Sequence, residues 1–262
     1  MTQVPESIAI IGAGATGAEF AHIYKSYGAD VTVVEMLDRI IPNEDSEISE
    51  LLAKSFQTRG INIRTGVSVN SIELQNGTAV VNILENETEE IISADKVLVA
   101  VGVQPNTDEI GLENIGVTTE NGFVSVGDNM ETNVTGVYAI GDVTGKMLLA
   151  HVASAQAVTA VEYIAGLNPT PLDYSLMPKA IYCEPQVASF GITEEEAINE
   201  GIEFQVGKFP FSASGKAIAL GHTEGMVKLI TDPEIGEILG AHLIGSEAVS
   251  YTHLTLPTIL RV

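Results

Sequence analysis

Six residues near the start, Gly12-Ala13-Gly14-Ala15-Thr16-Gly17, constrain the fold more than any other feature of the chain. A Gly-x-Gly-x-x-Gly string by itself is a weak signal. Here it follows an apolar run, Ser7–Ile11, and opens a segment in which Phe20, Ile23, Tyr24 and Tyr27 recur at helical spacing as far as Gly28. The β-branched residues 30–35 then read as a second buried strand ending in an acid, Glu35. Strand, glycine turn, helix, strand and terminal acid form the βαβ unit that holds a dinucleotide. Gly12 permits the tight turn, Gly14 lets the backbone approach a pyrophosphate, and Gly17 lets helix and strand pack closely, with the pyrophosphate at the helix N-terminus. Glu35 would accept hydrogen bonds from the ribose hydroxyls. A carboxylate there repels a 2′-phosphate, which favours NAD over NADP.

The pattern continues in the same style. Ile48, Leu51, Leu52, Ser55 and Phe56 predict a helix between an acidic start at residues 43–47 and a stop at Gly60, and residues 61–64 read as the next strand. Over residues 67–92 the period shortens to alternation (Val67, Val69, Ser71; Ala79, Val81, Ile83) around the Asn76-Gly77 turn, which predicts an antiparallel insert. Residues 96–101 form a further strand that stops at Gly102. Two short strands are expected within residues 122–140, and a helix over residues 151–165 with Gly166 as its stop. The Pro-rich residues 168–178 mark a domain boundary. Beyond it, strand-like runs at 179–182, 187–190, 204–209, 226–230 and 238–244 surround one helix, opened by the capping box Thr193 to Glu196. The fold class is therefore α/β: a Rossmann-like, doubly wound domain with an antiparallel insert, followed by an α+β domain.

Composition removes several functional classes. With 262 residues the chain can bury about 70–75 % of its unfolded surface, so it needs no disulfide scaffold. The net charge of −23 repels phosphate backbones and anionic head groups, so neither nucleic acid nor a membrane surface is an expected partner. One cysteine, Cys183, excludes an intrachain disulfide, a paired-thiol redox centre and a Cys-rich metal site. A buried structural thiol is the expected role of Cys183. His22, His222 and His242 are not spaced as metal ligands, so no metal is expected. The acidic runs 85–90 and 194–196 read as solvated faces. No apolar run approaches about 18 residues and the start carries no basic leader, so a cytoplasmic location is the default.

A second signal, Val137-Tyr138-Ala139-Ile140-Gly141-Asp142, sets a carboxylate at the end of a strand. Taken in order with Gly12 to Glu35, Ala100-Val101-Gly102-Val103-Gln104-Pro105-Asn106 and Leu149-Ala150-His151, it resembles the flavoprotein disulfide reductases, and among them the dihydrolipoamide dehydrogenases. Residues 178–188, Phe209-Pro210-Phe211 and Leu239-Gly240-Ala241-His242 are similar to the interface domain of that family. The resemblance implies an NAD-binding domain at 4–117, the C-terminal part of an FAD-binding domain at 118–174 and a truncated dimerisation domain at 175–248. It assigns Gly12, Ala13, Gly14, Ala15, Thr16, Gly17, Glu19, Glu35 and Gly102 to NAD. Asp142 matches the acid on the FAD ribityl chain, and Leu148, Leu149 and Ala150 match the segment along the flavin; His151 lies beside them. In such enzymes a dithiol reduces the flavin and NAD+ then takes the hydride. The implied partners are dihydrolipoamide carried on a 2-oxo acid dehydrogenase complex and a second copy of the chain.

Departures from the family pattern are equally specific. The family's FAD-binding first half, with its own glycine fingerprint and paired redox cysteines, is not in this sequence, and its C-terminal His-Glu dyad has no counterpart. No catalytic residue is therefore assigned, and His253 is not given the role of base. Residues 249–262 read as a tail outside the family, of vector or adapter origin, and the chain as a fragment that binds nucleotide without oxidising dihydrolipoamide. Two other readings stay open: a non-catalytic dinucleotide-binding module, and another NADH-dependent disulfide reductase such as a mercuric reductase.

Overall fold

The computed structural model describes residues 2–253; the expectation for the end of the tail, residues 254–262, and for the His253 side chain lies outside the described residues. The chain divides into two compact units, Met1–Gly102 with Pro178–Val262, and Val103–Met177.

The first unit begins with β1 (Ser7–Ile11), α1 (Ala15–Ser26), β2 (Asp30–Val34), α2 (Ser46–Thr58) and β3 (Asn62–Arg64), as the periodicity predicts. A meander of β4 (Ser68–Gln75), β5 (Thr78–Glu85) and β6 (Thr88–Ala94) follows, then β7 (Lys96–Val99). The parallel sheet runs β3-β2-β1-β7, and the meander is antiparallel. Alternation along β1 divides the core. Ile8 and Ile10 share a buried cluster with Val31, Val33 and the helix residues Ala18, Ala21, Ile48, Leu52 and Phe56. Ala9 and Ile11 join Val67, Val81, Ile83 and Ala94. Helices thus cover one face of the sheet and the meander the other, which leaves both faces of β1 apolar. Residues 86–90 are exposed, as expected of a solvated face. Glu85, half-buried at the end of β5, and Glu90 on β6 both bind the guanidinium of Arg64.

The second unit holds a two-residue pair, β8 (Thr119–Glu120) with β9 (Phe123–Val124), and one long helix, α3 (Ala150–Ile164). Of the two strands expected within 122–140, β9 forms at the start and the rest contributes only the bridge between Glu131 and Tyr138. Positive φ at Met130 (63°), Gly136 (81°) and Gly141 (80°) breaks the extended run before a ladder can build. Gln156 on α3, fully buried, accepts from the Gly141 amide at 2.6 Å and donates to the Tyr174 hydroxyl at 3.0 Å.

The chain then returns to the first unit with β10 (Lys179–Ile181), β11 (Gln186–Gly191), α4 (Glu194–Glu200), β12 (Gln205–Pro210), α5 (Gly215–Leu220), β13 (Gly225–Thr231) and β14 (Ile238–Gly245). The antiparallel order is β10-β11-β14-β13-β12. The capping box forms: the Thr193 hydroxyl accepts from the Glu196 amide and the Glu196 carboxylate from the Thr193 amide. The sequence predicts a single helix here, and α5 is a second. It is six residues long between Ser214, whose hydroxyl accepts from the Ala217 amide, and Gly221, too short for a helical period to show.

One row of register partners crosses all five strands: Lys179, Ser189, His242, Lys228 and Lys208. The neighbouring row, Ile181, Val187, Ile244 and Met226, is apolar and joins the core under α1 and α2. The acidic start of α2 lies on the polar row. Asp45, fully buried, caps α2 by accepting from the Glu47 amide and meets Lys228 at 2.8 Å. Lys228 also reaches Glu194 at 2.6 Å and Glu47 at 3.4 Å, while Lys208 reaches Glu47 at 2.6 Å. Residues 194–196 are a solvated face only in part: Glu196 is exposed and closes the cap, while Glu194, which holds Lys228, and Glu195, which holds Arg39, are half-buried.

Burial opposes the Asp45 charge, but the hydrogen bond and field of Lys228 outweigh it and hold the carboxyl below its ordinary 3.8. Burial likewise opposes the Lys228 charge, but Asp45 and Glu194 hold the ammonium above its ordinary 10.5. Desolvation pushes the His242 imidazole below its ordinary 6.5, against the raising influence of the Ile192 carbonyl, Asp45 and Glu44. A histidine depressed in the native state withdraws stability as pH falls below 6.5, a depressed aspartate as pH falls through 3.8, and a raised lysine only above 10.5. Thermal melts should therefore show a plateau from about pH 7 to 10 and a decline on the acid side, and His242→Gln should remove the part of the decline between about pH 6.5 and 5. An acid limb identical in that variant would show that His242 does not supply it.

Candidate functional site

Strand order reverses at β1: β2 and β3 lie to one side, and β7, reached after the meander, lies to the other. The carboxyl ends of β1 and β7 therefore flank the switch point at which open parallel sheets bind ligands. The glycine turn sits there, and its three glycines are not equivalent. Gly12 has φ +96°, and a Cβ on it would lie 2.5 Å from the Ala100 carbonyl oxygen at the end of β7. A Cβ on Gly17 would lie 1.9 Å from the Gly12 carbonyl oxygen, which is how closely α1 crosses the turn. A Cβ on Gly14 would meet nothing within 4 Å. Gly14 is the N-cap of α1, which has no side-chain cap and no acidic residue in its first turn, and Ala15 and Thr16 beside it are exposed. A helix N-terminus in this state, beside an open backbone, fits a pyrophosphate.

Ala13 is fixed through both of its polar groups. Its amide donates to Glu35 Oε2 at 2.6 Å, and its carbonyl accepts from the Ile41 amide at 2.7 Å. Glu35 Oε1 accepts from the Leu37 amide at 2.9 Å, so two backbone donors orient a buried carboxylate just past β2. A carboxylate offers about four acceptor sites, which leaves capacity for ribose hydroxyls. Gly102 lies beyond β7 with φ +113°, and a Cβ there would have open space for 4 Å around it. Glu19 reaches away from the turn: its Oε1 accepts from the Tyr182 amide at 2.9 Å, tying α1 to the segment after β10.

The residues assigned to a flavin lie in the second unit. Asp142 is exposed and opens a single 3-10 turn, Asp142–Thr144, after Gly141 at φ +80°. Leu149 is the N-cap of α3, which has no side-chain cap, Ala150 is its first residue, and Leu148 is 38 % exposed. His151 is exposed one residue on. The residue that fixes this segment, Gln156, escapes sequence reasoning; its only signal there is an amide at a helical position among Val152, Thr159 and Ala160, all buried.

Cys183 is buried, its thiol donates to the Pro185 carbonyl at 3.1 Å, and burial followed by the field of Glu19 pushes it up to about 12. His222 Nδ1 pairs with Ser246 Oγ at 2.7 Å, and His242 Nε2 donates to the Ile192 carbonyl at 2.9 Å. Among the described residues, no helix is long and apolar enough to cross a membrane.

Known proteins resemble this chain in sequence and in fold. The family profile of pyridine nucleotide-disulphide oxidoreductases matches residues 1–157, and that of their dimerisation domain matches residues 177–255. Dihydrolipoyl dehydrogenase of Mycobacterium leprae is 49 % identical over 93 % of this chain and 52 % of its own length, and that of Corynebacterium glutamicum is 46 % identical over 93 % and 53 %. The chain thus spans about half the length of the curated relatives it matches. Among solved structures, LpdA of Mycobacterium tuberculosis superposes with a TM-score of 0.91 over 100 % of this chain and 56 % of its own, at 24 % identity, a likeness of fold. A Cu(II) complex of the HOCl-induced flavoprotein disulfide reductase RclA of Escherichia coli gives 0.90 over 99 % and 58 %, at 26 % identity.

Gly17→Ala should lower the melting temperature sharply, because backbone must move to admit the methyl, whereas Gly14→Ala should leave it nearly unchanged; equal melts for the two variants would contradict the packing described. Cys183 should resist iodoacetamide in the folded protein at about pH 8 and react after denaturation, as followed by intact mass.

Proposed function

The chain belongs to the pyridine nucleotide-disulphide oxidoreductase family, and from that premise we propose that it is the NAD-binding and dimerisation portion of a flavoprotein dihydrolipoyl dehydrogenase. The observation that carries this reading is the division of labour in the glycine turn: Gly12 and Gly17 are closed by packing, Gly14 is open, and Glu35 is held as a carboxylate beside them. The names of the relatives supply the substrate class, because both sequence relatives quoted are dihydrolipoyl dehydrogenases.

In this reading the amides at the start of α1 bind the pyrophosphate, with Gly14 giving access. Glu35 orients the adenosine ribose and disfavours a 2′-phosphate. Gly102 leaves room at the nicotinamide side, and Asp142, Leu148, Leu149 and Ala150 form part of an FAD site. FAD, when bound, carries reducing equivalents between a dithiol and NAD+. The residues of this chain bind and orient the two cofactors and exclude water. Its one thiol, Cys183, is buried and protonated, so the dithiol step belongs to residues outside these 262. Residues 4–117, 118–174 and 175–248 would be the NAD-binding, partial FAD-binding and dimerisation domains. The whole enzyme would be a cytoplasmic homodimer acting on dihydrolipoamide carried by a 2-oxo acid dehydrogenase complex.

Fluorescence titration of the 262-residue chain should show NADH binding more tightly than NADPH. Glu35→Ala should weaken NADH by about tenfold or more and narrow the preference over NADPH. A loss equal for both nucleotides would mean that Glu35 only holds Ala13, and no NADH binding by the unaltered chain would overturn the reading. For the whole enzyme, the genomic reading frame upstream should encode a second glycine fingerprint and a Cys-x-x-x-x-Cys; a stop immediately before Met1 would favour a nucleotide-binding module.

A further inference from the structure

Between Glu35 and α2 the chain returns to the glycine turn through Ile41, whose amide donates to the Ala13 carbonyl at 2.7 Å. Ile41 is β-branched and buried, and its φ is +40°, a conformation such a residue holds only where its surroundings impose it. The near side of this segment is held locally, by the Ser49 hydroxyl on the Ile40 carbonyl at 2.7 Å and by the Glu44 amide on the Ile41 carbonyl at 3.0 Å. Its far side is held from the antiparallel sheet and from α4. Arg39 binds both oxygens of Glu195, at 2.9 and 2.6 Å. Asp45 binds Lys228 through both of its oxygens, at 2.9 and 2.8 Å, and accepts weakly from the Glu194 amide at 3.4 Å.

We propose that Lys228 is a positioning residue for the dinucleotide turn, acting through Asp45 and the strained Ile41 on the carbonyl of Ala13. This rests on the reading of Gly12 to Gly17 as a nucleotide site. Asp45 is fully buried and Lys228 is its only cationic partner among the contacts of the described residues, so without the ammonium the carboxylate must protonate or move toward water. Either way the N-terminus of α2 shifts, Ile41 is released from positive φ, and the Ala13 carbonyl loses its donor. Ala13 is the same residue whose amide orients Glu35, so the ribose carboxylate and the pyrophosphate turn loosen together. Lys208, half-exposed and paired only with Glu47 among the described contacts, has no such line to Ala13.

The test compares Lys228→Met with Lys208→Met in the 262-residue chain. Without nucleotide, hydrogen exchange at the Ile41 amide should accelerate about tenfold in Lys228→Met relative to the β4–β6 meander, and stay unchanged in Lys208→Met. NADH affinity should fall by a similar factor in the first variant only. Acceleration spread equally over Ile41 and the meander would reveal general destabilisation and overturn the proposal, as would an unchanged Ile41 amide. If Lys228→Met does not fold, Glu194→Gln removes one of its carboxylates while leaving Asp45 paired; it should accelerate Ile41 by about two- to threefold, and no acceleration would overturn the proposal. Because the exchange measurement needs no nucleotide, failure of the unaltered chain to bind NADH would count against the site reading and not against this coupling.

Discussion

One buried ammonium organises the first unit. Lys228 stands in the antiparallel sheet and faces carboxylates drawn from the cap of α2, the first turn of α2 and the start of α4. Removing such charges from water costs several kcal/mol per ion, and the attraction between them offsets this only with close, multiple contacts. Apolar packing of the neighbouring row against α1 and α2 supplies the larger stabilisation, but it is non-directional and would tolerate a slide or rotation of sheet against helices. The ion cluster does not tolerate it, since a small displacement leaves a fully buried Asp45 without its partner. Packing brings the two layers together, and the cluster determines where they stop.

That division explains how far the molecule is legible in its residues. Elements with an apolar period of their own, β1, α1, β2, α2, the meander and the capped α4, are readable because their burial pattern repeats within a short stretch. The turn is readable for a stronger reason, since Gly12 and Gly17 are demanded by backbone contacts that no other residue satisfies. Lys228 escapes such reading although it leaves a trace: in β13 it occupies the inward position between Met226 and Ile230, where alternation calls for an apolar residue. Its partner Asp45 is 183 residues away, and no local period links the two. The same holds for Glu194 to Glu196, which look solvated in isolation and are engaged through tertiary contacts and the helix cap.

Glu35 illustrates the complementary case, in which the residue is legible and its company is not. The position after β2 marks it as a ribose acid, but its two backbone donors, Ala13 and Leu37, fix the carboxylate before any ligand arrives. Preorganisation of this kind reduces the ordering that binding must otherwise impose. Cys183 lies at the opposite extreme: it is a buried member of the hydrophobic core, and its chemistry is that of packing.

The alternating rows of the antiparallel sheet carry a further consequence, for strand pairing. Along its inner face an apolar row, a polar row and a row containing Gly191 and Gly240 follow one another across the strands. Slipping any strand by one residue would turn its inward set outward, and slipping β13 by two would present Met226 or Ile230 to the carboxylates of α2 and α4. Lys179, Ser189, His242, Lys228 and Lys208 therefore serve as a register key, written one letter per strand, that distinguishes the native alignment from its nearest competitors.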